Sequence, residues 1–136
     1  MNDDVFINLN GLDSDMKKVI DRFPLKSEEF LSKSAREWKK DCNDKGYGKY
    51  DNKEISRSWT IRSEYSKSGR LEVTVKNKHR LFHLVENGHR MFIRGKDTGG
   101  FVQGRHYAEK TREEWKDKFP EKTEKFVSEL LGGNNL

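Results

Sequence analysis

His83, Glu86, His89 and His106 are the side chains of this sequence whose types could hold a metal ion or move a proton. Three of them lie in the stretch Arg80-Leu-Phe-His-Leu-Val-Glu-Asn-Gly-His-Arg90. A metal-dependent hydrolase or nuclease would use the imidazoles as ligands and Glu86 as base. The spacing argues against it. On a helix His83 and Glu86 share a face, but His89 falls roughly 120° round the axis and beyond Gly88. The zincin pattern, two histidines four apart with a glutamate beside the first, is absent. His106 could join a three-histidine site only if the intervening chain folded back. The competing expectation is a structural elbow: His83 and Glu86 tie a short helix to the fold, Gly88 turns the chain, and His89 anchors the base of a loop that closes on His106.

No Gly-x-Ser-x-Gly elbow, phosphate-binding loop or dinucleotide fingerprint is present, and Gly99-Gly100 alone is too little for a phosphate site. The single cysteine, Cys42, excludes an intramolecular disulfide and a cysteine-based zinc site. No cofactor is expected. No apolar run resembles a signal peptide or a membrane span, so the expectation is a soluble protein made in the cytoplasm, with no membrane partner.

The elements that must position these residues are set by 136 residues, enough for one domain with one modest core. Only 32% of the chain is hydrophobic and 38% is charged, yet eight Phe, three Trp and four Tyr recur with clear periodicity. That pattern implies a small core under a solvated surface, a domain that gains from assembly with other subunits. The net charge of +5 is uneven. Residues 1–30 carry four basic and seven acidic side chains (4 − 7 = −3), whereas residues 76–112 carry nine and three (9 − 3 = +6). Such a split suits head-to-tail contact between copies, or passive contact with a phosphate backbone. A monomeric basic DNA-binding module is the further alternative, although no known binding module is present.

Taken in order, residues 1–11 alternate and end at Gly11, as a short strand or an extended arm. A helix is expected from Asp13 or Ser14, with Met16, Val19, Ile20 and Phe23 on one face, and Pro24 interrupts it. A second helical run places Leu31, Ala35, Trp38 and Cys42 together and fails at Asn43, so the spacing predicts one kinked helix or two consecutive ones. Residues 47–54 read as a loop. Alternation from Ile55 through Trp59 to Tyr65, a turn at Lys67-Ser-Gly69, and renewed alternation over Leu71, Val73 and Val75 predict a β-hairpin, with Trp59 covering the helices. Asn77 is expected to cap a short helix whose Leu81, Leu84 and Val85 share a face, with Gly88 as its stop. Met91-Phe-Ile93 is expected to add a short strand to that hairpin. The glycine-rich segment 94–105 is expected to be a mobile loop, with Arg94, Lys96, Gly99, Gly100, Phe101, Gly104 and Arg105 meeting a neighbouring subunit or partner. Tyr107, Thr111, Trp115 and Phe119 open a last helix, which continues through Phe126, Val127, Leu130 and Leu131 after a kink or new start at Pro120. Residues 132–136 read as a frayed tail. The fold class is therefore α+β, with helices packed on a small antiparallel sheet.

Arg57-Ser-Trp59, Lys76-Asn77, His83-Leu-Val-Glu86-Asn-Gly88-His89, Gly99-Gly100, Gly104 and His106 together resemble a tailed-phage family, the Hong Kong ninety-seven type minor tail, or head–tail joining, proteins. The order and spacing hold from about residue 12 to 131. The sequence departs from the family pattern at Tyr50-Asp-Asn-Lys before the hairpin, and at Arg105 and Tyr107 on either side of the last histidine. The resemblance implies a non-enzymatic virion protein of the neck or tail, or of a phage-derived tail-like particle. It implies assembly with itself as a ring, a hexamer foremost, against connector or tail-tube proteins. No catalytic residue carries over.

Overall fold

The computed structural model describes residues 4–7, 13–48, 53–65 and 70–132. Two helices lead: α1 (Asp13–Arg22) and α2 (Pro24–Cys42). Of the two alternatives the sequence left open, consecutive helices are what forms. Phe23, at φ −132°, breaks the helical path, and Pro24 starts α2 where its missing amide costs nothing. The Ser27 hydroxyl and amide both donate to the Phe23 carbonyl, at 2.8 and 3.0 Å, which fixes the corner. After α2 the chain widens into a π-type turn, Asn43–Tyr47, which buries Tyr47 completely.

A single helical turn, α3 (Lys53–Ser56), replaces the end of the expected loop and the start of the expected strand. Ile55 is fully buried from that turn, and strand β2 begins only at Trp59. β2 (Trp59–Tyr65) and β3 (Leu71–Asn77) form the expected hairpin, with Trp59 opposite Asn77 and Tyr65 opposite Leu71. The turn expected at Lys67-Ser-Gly69 lies outside the described residues. β1 (Asp4–Ile7) pairs antiparallel with the far side of β3, giving a three-stranded sheet of order β1-β3-β2. The rest of the expected N-terminal arm lies outside the described residues, as does nearly all of the expected C-terminal tail.

Val73, Val75 and Leu71 alternate inward from β3 onto Leu31, Ala35 and Trp38 of α2. Trp59 meets Trp38 edge to face at 5.5 Å, and its Nε1 donates to Asn43 Oδ1 at 2.8 Å, so its indole covers the helices while its polar end is paired. Helix α5 (Tyr107–Leu130) crosses α2, burying Ala108, Thr111, Trp115, Phe119, Thr123 and Val127 at three- and four-residue spacing. It runs unbroken through Pro120, so no new helix starts there. A second cluster, Met16, Val19 and Val127, joins α1 to the far end of α5.

Two local expectations are corrected between β3 and α5. Asn77 caps no helix. Its side-chain amide donates to the Ile55 carbonyl at 2.9 Å and its Oδ1 accepts the His79 amide at 2.9 Å, fastening the end of β3 to α3. Helix α4 (Phe82–Asn87) buries Phe82 and Glu86 and leaves Leu81 exposed, because its inner face is set by Tyr47 and α5.

The glycine-rich segment is the largest departure. β4 (Gly88–Ile93) and β5 (Lys96–Gln103) form a separate two-stranded antiparallel sheet, so Met91-Phe-Ile93 does not extend the first one. Arg94 and Gly95, at φ 52° and 79°, make the two-residue turn. Both central residues at positive φ is the turn geometry that matches the natural twist of a tight hairpin. The register shifts between Arg90 and Phe92, and Gly99 opposite them takes φ 77°, an irregularity that glycine alone accommodates without strain.

Candidate functional site

Glu86 is the centre of the site. It is 97% buried, and its carboxylate accepts three hydrogen bonds from two other parts of the chain. Oε1 accepts from the Tyr47 hydroxyl at 2.5 Å and from the Ala108 amide at 3.0 Å. Oε2 accepts from the Glu109 amide at 3.0 Å. Helix α5 has no capping side chain at its own start, where His106 sits in the left-handed region at φ 57°, ψ 30°. Glu86 therefore does that work from another helix. It satisfies two of the four orphan amides and puts a negative charge at the positive end of α5. The backbone repeats the connection, since Arg105 and His106 amides donate to the carbonyls of Val85 and Glu86 at 2.9 and 3.0 Å.

Gly88 and Gly104 close the junction. Gly88 takes φ 89°, ψ 169°, a region open essentially to glycine. A Cβ there would lie 2.6 Å from the Val102 carbonyl oxygen and 2.8 Å from the Gly104 nitrogen. A Cβ on Gly104 would strike the Glu86 carbonyl and lie 2.7 Å from the Gly88 nitrogen. Two backbones touch here with no room for a side chain. The hairpin consequently leaves α4 and returns to α5 at one rigid point, and beyond it β4 and β5 pack mainly on each other.

Burial shapes the titration of the neighbours. Burial first, and then the hydrogen bond to Glu86, push the Tyr47 hydroxyl far above the usual tyrosine range. Burial, with the Glu86 charge adding to it, raises the Cys42 thiol to about 12. With both oxygens engaged, the Glu86 carboxylate ties the turn at Tyr47 and the start of α5 to α4.

The four residues singled out for metal or acid–base chemistry are not brought together as ligands. His83 is half-buried on α4, and His89 lies on β4 opposite Val102. His106 Nδ1 is 2.9 Å from Glu109 Oε2, at an angle that does not suit a hydrogen bond. Among the described residues no three His, Cys, Asp or Glu side chains group as a metal ion would require. Of the expected partner-facing residues, Arg94, Lys96, Gly99, Gly100, Phe101 and Gly104 lie on the β4–β5 hairpin or at its base, and Arg105 joins that base to α4. Tyr47 is the residue that sequence reasoning missed. Nothing local marks its role, because the carboxylate it serves lies 39 residues further along the chain.

The fold and the junction thus define an α+β domain that holds out a hairpin, with a buried carboxylate joining α4 to α5. The sequence matches the HK97-gp10-like family model, described as "Bacteriophage HK97-gp10, putative tail-component", over residues 11–88. The chain belongs to this family of phage tail components. No curated protein and no solved structure gives a significant match. The matched span runs from the start of α1 through the β2–β3 hairpin to Gly88, so it stops where the β4–β5 hairpin begins.

Proposed function

We propose that this protein is a non-enzymatic virion subunit that joins or completes the phage tail at the head–tail interface, acting as a ring of identical copies. A hexamer is the ring we favour, seated against connector or tail-tube proteins. The family membership supports the tail, and one structural observation supports assembly through a repeated contact. The junction formed by Glu86, Gly88 and Gly104 fixes a hairpin outside the core with Phe92, Ile93 and Phe101 each more than half exposed. A two-stranded hairpin by itself is marginal in water, and apolar residues at its tip make sense when another surface covers them. Rings built from one repeated contact are the closed outcome of such a surface.

The test is deletion of the gene from the phage or prophage that carries it, followed by electron microscopy of the induced lysate. Unjoined heads and tails, or tails of abnormal end structure, restored to whole particles by the wild-type gene, are expected. Intact infectious particles from the deletion would overturn the proposal.

A further inference from the structure

Apart from Leu81, the large exposed hydrophobic residues among those described fall into two patches. One is the β4–β5 hairpin, with Met91, Phe92, Ile93, Phe101 and Val102. The other is the corner where α1 meets α2, where Leu25 is 80% exposed and Tyr65 is 45% exposed. Tyr65 donates its hydroxyl to the Pro24 carbonyl at 3.0 Å, so these two residues share one surface.

The patches lie at opposite ends of α2. Leu25 and Tyr65 sit at its N-terminus, while the hairpin is rooted at Glu86, bonded to Tyr47 just beyond its C-terminus. Nineteen helical residues at ~1.5 Å each separate them by roughly 28 Å. The hairpin leaves the corner of its own subunit uncovered, with Leu25 80% exposed.

The patches are also opposite in charge. Residues 88–103 carry Arg90, Arg94 and Lys96 against Asp97 (3 − 1 = +2). Residues 21–29 and 62–65 carry Asp21, Glu28, Glu29 and Glu64 against Arg22, Lys26 and Arg62 (3 − 4 = −1). Within the hairpin the Arg90–Asp97 pair at 2.8 Å is internal, which leaves the tip charges Arg94 and Lys96 to set its sign.

We infer that the tip of the β4–β5 hairpin of one copy docks on the Leu25–Tyr65 corner of the next copy. Phe92 and Ile93 cover Leu25, and Arg94 and Lys96 face the carboxylates around it. Two different patches on one chain make a head-to-tail contact, the kind that closes into a ring or runs on as a filament. The inference rests on the proposed ring and supplies its repeated interface.

Two full-length variants test it, each changed only at exposed positions: Phe92→Asp with Ile93→Asp, and Leu25→Asp. Circular dichroism and a thermal melt establish that each folds, and serine at the same positions serves where aspartate disturbs folding. Sedimentation velocity over a wide concentration range should show the wild type assembling into multimers. Each variant alone should need a concentration about tenfold higher or more to assemble, if it assembles at all. An equal mixture of the two variants should give a discrete heterodimer, because one intact hairpin and one intact corner remain to form a single contact. The inference is overturned by a wild type that stays monomeric at the highest concentration, by variants that assemble like the wild type, or by a mixture with no heterodimer. Its failure is separable from that of the tail function. Unjoined tails in the deletion lysate together with a monomeric purified wild type would remove this interface and keep the tail role. Multimers made by this contact, alongside normal particles from the deletion, would do the reverse.

Discussion

The Glu86 carboxylate caps α5 from a different helix, its Oε2 3.0 Å from the amide of Glu109. Removing it should therefore be felt at two elements at once. Glu86→Gln keeps one acceptor oxygen but turns the other position into a donor facing a donor, and should destabilise by about 1–3 kcal/mol. Glu86→Ala leaves the Tyr47 hydroxyl and two helix amides unpaired in a dry site, and should cost ~3 kcal/mol or more. Urea unfolding gives both numbers. Equal, near-zero losses would show that α5 is capped by something other than this carboxylate.

Tyr47 makes a second prediction, at high pH. Its folded-state pKa is raised above that of an unfolded tyrosine, by burial first and by Glu86 next. The stabilisation is then fully present below the unfolded value of ~10 and is lost as pH climbs above it. Stability measured by urea titration should fall steadily above that pH. Absorbance at alkaline pH should show one tyrosine that ionises only when the protein unfolds, and Tyr47→Phe should abolish that late step. The same variant should lose about 1.5–3 kcal/mol at neutral pH, the net worth of one buried hydrogen bond to a charged acceptor.

Gly88 and Gly104 make a third. Gly88→Val meets both a glycine-only backbone conformation and a backbone oxygen 2.6 Å from the new Cβ. A loss of ~3 kcal/mol or more is expected, or failure to fold. Gly104→Ala needs only one methyl group, yet that methyl meets the backbone of Glu86 through Gly88, which cannot swing away as a side chain would. It should destabilise by ~2 kcal/mol. Gly95→Ala is the control, because nothing lies within 4 Å of its Cβ and only the positive φ opposes it. A cost of about 1 kcal/mol, confined to hydrogen exchange in the hairpin, is expected there.

The elements that could be read from the chain were those whose side chains repeat. Leu31, Ala35, Trp38 and Cys42 on α2, and Thr111, Trp115 and Phe119 on α5, follow the helical period because one face of each is buried. The β2–β3 hairpin showed itself through the inward residues of β3. β5 was hidden because it is exposed along almost its whole length and so needs no alternation. Lys96, Asp97, Gly99 and Gly100 are residue types that strands usually avoid, and the turn lacks the familiar Asn-Gly pair. The metal alternative lost ground on spacing alone. The capping role that replaced it could not be read, since the partners of Glu86 lie 39, 22 and 23 residues away and only the fold brings them within reach.

Cys42 offers a probe of how tightly this region closes. The thiol is fully buried beside the α5 crossing, and burial together with the Glu86 charge lifts it to about 12. The thiolate is the reactive form, so at neutral pH the native protein should react with a disulfide reagent far more slowly than an unfolded thiol with its ordinary pKa of ~8.5. In denaturant one thiol per chain should react at once, matching the single cysteine of the sequence. The native rate should then report opening of the core. Glu86→Ala should speed labelling by loosening α5, and losing a nearby negative charge acts in the same direction by lowering the thiol pKa. The two effects separate on a pH profile: faster opening raises the rate at every pH, whereas a lower pKa shifts the midpoint. Rapid labelling of the folded wild type at neutral pH would mean that Cys42 is not sealed under α5.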